Sequence, residues 1–123
     1  MNILAVIIGG SLGALLRYAA MLWWHTERFP FGTLIVNLVA ALLVGILYVV
    51  LVEHLDLLLA KNLLIVGFLG ALSTMAALSI EAWLMIDKGE WIMGISYVIA
   101  TNLAVLLVAG SAIFTTRYVL TIT

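Results

Sequence analysis

Cysteine is absent from this 123-residue chain, and proline occurs once, at Pro30. Neither a disulfide framework nor a thiolate metal site can be built. Charge is scarce as well. Only 9% of residues are Asp, Glu, Lys or Arg, and the net charge is −1. Lacking a basic excess, the chain projects no field that would gather nucleic acid or anionic lipid. The two histidines, His25 and His54, fall in predicted loops and read as solvated loop residues.

Apolar residues fill the space that charge leaves. They make up 67% of the chain, and the mean hydropathy is +1.34. A soluble domain of this size needs far more polar surface, so the composition describes an integral membrane protein embedded in a lipid bilayer. No basic residue precedes the first apolar run, which continues past Gly9-Gly10-Ser11 to Trp24. It reads as a true span rather than a signal peptide. No lipidation signal is expected.

Hydropathy divides the chain into four spans within one transmembrane domain, residues 1–123. They cover about 3–24, 31–52, 63–86 and 91–116, and each reaches the ~20 residues that cross a bilayer. The fold class is therefore an all-α membrane protein of four transmembrane helices, with both termini on one side. Lys61 and Arg117 lie on the side of the termini, Arg28 and Lys88 on the other. Such a balance gives the positive-inside rule nothing to act on. Either copies insert both ways, or the charges are too few to decide. Trp23, Trp24, Trp83 and Trp91 all fall near the side of Arg28 and Lys88, as one interfacial belt.

Asn37 stands about two turns into the second span. A carboxamide without a partner in hydrocarbon costs several kcal/mol, so it must face another helix or a small wet path. Its helical neighbours are Thr33, Ala40, Ala41 and, further on, Gly45, a small and polar stripe. In the first span, Gly9 pairs with Gly13 and Gly10 with Ala14 at four-residue spacing, which predicts tight packing within an oligomer. Arg17 lies inside the first span and Glu81 inside the third, toward the same side, and their depths permit a pair.

The third span contains Gly67-Phe68-Leu69-Gly70-Ala71-Leu72-Ser73-Thr74. Two glycines and two hydroxyl residues at mid-membrane suit either a broken helix, with carbonyls freed toward a cation, or a tightly packed continuous one. In the fourth span Tyr97, Thr101, Ala104, Val108, Ser111 and Thr115 recur at steps of four and three, so one helical face carries four hydroxyls. A hydroxyl can donate to an anion or bond a neighbouring helix. Asn102 lies off this stripe and reads as packing.

Three segments together resemble the Fluc (CrcB) fluoride channel family. They are Gly9-Gly10-Ser11-Leu12-Gly13-Ala14-Leu15-Leu16-Arg17-Tyr18, then Phe29-Pro30-Phe31-Gly32-Thr33-Leu34-Ile35-Val36-Asn37, then Gly67 to Thr74 with Ser79-Ile80-Glu81. The resemblance covers nearly the whole chain. It implies an antiparallel, dual-topology dimer in the bacterial plasma membrane, a third helix broken at mid-membrane, and fluoride pores at the subunit interface. It also implies a structural sodium ion held by backbone carbonyls, here of Gly70 and Ser73. Asn37, Tyr97 and Thr101 match its pore residues, with Ser111 and Thr115 further along the same track. Arg17 and Glu81 match its vestibule. The family's third-helix motif continues Thr-Phe-Ser-Thr-Phe-Ser, whereas this chain reads Thr74-Met75-Ala76-Ala77-Leu78-Ser79. Met75 and Leu78 thus replace two rings whose electropositive edges face an anion.

Three functions follow as expectations. The first is a fluoride channel subunit exporting fluoride passively. The second is a structural partner in a heterodimer, whose sister subunit brings the phenylalanines. The third, a small multidrug transporter, needs an acid in the first helix, and none is there. No nucleophile, acid–base pair or nucleotide loop appears, so no enzyme activity is expected.

Overall fold

The computed structural model describes every residue except Met1, His25, Glu27 and Thr123. The loop expected around His25 therefore lies partly outside the described residues. Four helices account for almost everything else: α1 (Asn2–Trp23), α2 (Phe31–His54), α3 (Leu58–Asp87) and α4 (Trp91–Ile122). Each is long and apolar enough to cross a membrane. α1 has 22 residues and α4 has 32. At 1.5 Å per residue these give roughly 33 and 48 Å, against a hydrocarbon core of about 30 Å.

The ends have local causes. Pro30 precedes the first residue of α2, where its missing N–H costs nothing. The turn between α2 and α3 places Asp56 at φ 48°, a left-handed conformation that Asp tolerates better than most residues. Gly89 turns the chain into α4 at φ +86°, a conformation open to glycine. α3 begins at Leu58, before the hydropathy boundary at 63, because Lys61 and Asn62 lie within the helix. The last turns of α2, Val49–His54, and the stretch Lys61–Leu69 of α3 widen to π geometry.

α1 packs chiefly on the first half of α3, and α4 packs on α2 and on the second half of α3. Backbone contact sets the first of these interfaces. A Cβ on Gly9 would lie 2.0 Å from the Leu63 carbonyl oxygen, and one on Gly13 would lie 2.1 Å from that of Phe68. Gly67 closes the same seam from the α3 side, against the Val6 carbonyl. The glycine pair expected to join subunits therefore works within one chain. Gly45 likewise admits α4 at Ala109 and Ala112, and Gly94 admits α3 at Ala82.

Two apolar clusters fill the interior. One gathers Ala20, Val36, Ala40, Leu69 and Leu72; the other gathers Leu78, Ala82, Met85 and Tyr97. At one end of the bundle Arg117 of α4 grips Glu53 of α2 through two hydrogen bonds, one of them Nε–H to Oε2 at 2.9 Å. Large apolar side chains face outward along α1 and α4, among them Ile7, Leu12, Leu15, Leu106 and Phe114, and the four tryptophans are exposed too. Lipid or another subunit must cover such a surface.

A polar groove at the broken third helix

α3 is interrupted at Ser73 and Thr74. Both are extended, at φ −70°, ψ 151° and φ −150°, ψ 117°. The interruption falls at the hydroxyl pair, whereas the glycines continue the helix: Gly70 has φ −63° and ψ −33°. Thr74 restarts the helix by accepting a hydrogen bond from the Ala77 N–H at its Oγ1, 3.2 Å. This is an N-cap, and it satisfies a donor that the new helix would leave free.

Asn37 holds the interruption open. Its Oδ1 accepts the Thr74 N–H at 2.7 Å, and its Nδ2 donates to the Thr74 carbonyl at 3.2 Å. The carboxamide thus pairs with one peptide unit as a neighbouring strand would. Thr74 N–H would otherwise bond the Gly70 carbonyl four residues back, as the helical ladder requires. Turned toward Asn37, it leaves that carbonyl without its helical donor. Asn37 is 7% exposed, so this pairing also resolves the cost of placing an amide in the interior.

Beside the interruption lies a groove of about 300 Å³. Asn37, Thr101, Gly70, Ser73, Met75 and Leu78, all singled out from the sequence, line it together. The two ring-replacing residues differ sharply. Met75 is 59% exposed, and Leu78 is 2% exposed within the second apolar cluster. Asn102, read from the sequence as packing, also lines the groove and is exposed. Its only sequence signal was polarity in mid-span.

Tyr97 belongs to a second polar cluster. Its hydroxyl donates to Glu81 Oε2 at 3.0 Å, and Thr33 Oγ1 donates to Glu81 Oε1 at 2.5 Å. Glu81 is therefore held by α2 and α4. Arg17, expected as its partner, makes no hydrogen bond or ion pair among the described residues. Thr33 and Glu81 open onto a second groove, about 370 Å³, that reaches Arg28, Lys88 and Glu90 near the tryptophan side. Phe29 borders it and meets the Tyr97 ring edge-on, with centroids 5.0 Å apart.

The lower part of the α4 stripe departs from the upper. Tyr97 and Thr101 are buried, while Ser111 and Thr115 are exposed and line a separate groove with Leu42 and Ile46. α2 packs on α4, and at Gly45 it meets Ala109 and Ala112 rather than Ser111. A straight stripe at 3.6 residues per turn cannot follow a crossing partner.

The Glu81 cluster makes a measurable prediction. Thr33→Val and Tyr97→Phe each remove one donor from the same carboxylate, at about 1–3 kcal/mol for a bond to a charged group. The double variant strips both, and thermal unfolding in detergent should show a loss greater than the sum of the singles. Additive losses would mean that the two hydroxyls serve Glu81 independently.

The family described as CrcB-like protein, Camphor Resistance (CrcB), matches residues 4–113. A protein of Hahella chejuensis named fluoride-specific ion channel FluC is 35% identical over 97% of each chain. One of the same name from Saccharophagus degradans is 42% identical over 79% of this chain and 75% of its own. A third, from Roseiflexus sp., is 37% identical over 82% and 85%.

Proposed function

This chain belongs to the CrcB-like family, and from that premise we propose that it is a fluoride channel subunit, exporting fluoride passively across the bacterial cell membrane. The observation that carries the reading is the groove at the α3 interruption, where Asn37, Ser73 and Thr101 meet beside Met75 and Leu78. Fluoride is small and strongly hydrated, so a path must replace water with donors. Amide and hydroxyl groups supply them. Tyr97 lies off this groove with its hydroxyl given to Glu81, and Ser111 and Thr115 line a separate groove further along α4. Arg17 and Glu81 stand toward the vestibule. The ion's gradient and the membrane potential drive transport, and no bond is made or broken. The channel reading makes the protein no enzyme.

The groove opens on the side of the subunit, so a second copy in the opposite orientation would wall it. The balance of Arg28 and Lys88 against Lys61 and Arg117 supports insertion both ways. A structural sodium ion suits the interruption. The Gly70 carbonyl lacks its helical donor, and Ser73 is extended, so both present hard oxygen ligands. A bound cation would fix the two half-helices and offset their exposed carbonyls.

Met75 and Leu78 predict a specific response. Met75→Phe has room, because Met75 is exposed, and should raise fluoride flux by adding a ring edge worth about 0.5–1.5 kcal/mol. Leu78→Phe forces a ring into a packed cluster and should cost about 1–3 kcal/mol in stability, read as a lowered unfolding midpoint in detergent. The proposal itself is tested in bacteria lacking a fluoride exporter. Expression of this chain should restore growth in fluoride. Rescue only with a phenylalanine-bearing sister subunit would instead assign it to a heterodimer.

A further inference from the structure

We infer that Asn102 is a further anion donor of the route, and that it offsets the absent rings at Met75 and Leu78. This rests on the fluoride-channel reading of the groove. Asn102 lies eleven residues into α4, roughly 17 Å from its start at 1.5 Å per residue, near the middle of a bilayer. Facing lipid there, a carboxamide would cost several kcal/mol. The exposed residues around it on α4, Ile99, Leu103 and Leu106, are apolar as lipid requires. Asn102 instead faces the rim of the groove that Asn37, Ser73 and Thr101 line.

Its amide is oriented by its own helix. Nδ2 donates one hydrogen to the Val98 carbonyl at 2.8 Å. The group carries a second N–H. That hydrogen takes no partner among the described residues. That bond to its own helix restricts the amide, so the second N–H is offered at a reduced ordering cost. Met75 and Leu78, on the same groove, bring no strong donor of their own. Asn37 likewise gives one N–H to Thr74, so each amide keeps one N–H for an anion. Fluoride accepts hydrogen bonds more strongly than chloride, so an N–H at this point offsets part of its larger dehydration cost.

The test uses the full chain in liposomes, measuring fluoride efflux with an electrode and chloride efflux in parallel, with assembly followed by sizing in detergent. Asn102→Leu keeps the volume and removes the donor. It should assemble and lose fluoride flux roughly tenfold, as expected for a hydrogen bond to a charged group. Asn102→Gln should retain part of the flux. Asn102→Ala is read alongside, in case leucine disturbs assembly. An assembled leucine or alanine variant with unchanged flux would overturn the inference while leaving the channel reading intact. Failure of both variants to assemble would assign Asn102 to subunit contact and overturn it as well. No fluoride flux from the unmodified chain would overturn the channel reading itself, and this inference with it.

Discussion

Asn37→Asp is expected to abolish fluoride flux. The side chain is nearly isosteric, so steric change is minor. Its chemistry changes in two ways. First, the Nδ2 donor is lost, and an acceptor-only oxygen then faces the Thr74 carbonyl 3.2 Å away. Second, an ionised carboxylate stands beside an anion path. At an effective dielectric constant near 20, like charges 4 Å apart repel by about 4 kcal/mol, roughly a thousandfold against occupancy. The Thr74 N–H keeps its acceptor, so the interruption in α3 should survive with a loss of about 1–3 kcal/mol. The variant should therefore assemble by sizing in detergent and yet fail to release fluoride from liposomes. Unchanged efflux would remove Asn37 from the route.

Gly13→Ala should remove the folded protein altogether, and Gly9→Ala should do the same. The added Cβ would sit 2.1 and 2.0 Å from carbonyl oxygens of α3. These are backbone atoms of a packed helix and cannot rotate aside. α1 must instead move away by more than an ångström, and close packing along the whole seam is lost. We expect the yield of monodisperse protein to fall at least tenfold, by analogy with the larger core disruptions. Two controls sharpen the reading. A Cβ on Gly10 meets nothing nearer than 3.9 Å, and one on Gly110 meets nothing within 4 Å. Both alanine variants should be recovered at ordinary yield. Normal folding of Gly13→Ala would mean that α1 and α3 are further apart than described.

The spans were legible because apolar runs above the crossing length have few alternatives in so small a chain. The glycines and hydroxyls of α3 left a broken and a continuous helix equally open, and only the family resemblance pointed to a break. Glycine tolerates many conformations, so Gly67 and Gly70 drew attention, yet Gly67 serves close packing and Ser73 and Thr74 carry the turn. Asn37 announced a need for a partner. Spacing along one helix cannot say which peptide 37 residues away supplies it. The same limit explains Glu81. Depth suggested Arg17, whereas the three-dimensional neighbours are Thr33 and Tyr97. Glycine four apart signals a close helix contact without naming the other helix, and here that helix is α3 of the same chain. Asn102 reads as packing in the sequence because a lone amide off the stripe has no periodic signature. Its place on the groove depends on where α2 and α3 run.

The most direct test of the account is fluoride efflux from liposomes that contain this chain alone. Donors on Asn37, Ser73, Thr101 and their neighbours are held to carry fluoride without the family's two rings. The account predicts efflux that is selective for fluoride over chloride and needs no second protein. Intact, monodisperse protein that releases no fluoride, but does so once a phenylalanine-bearing sister subunit is added, would contradict it.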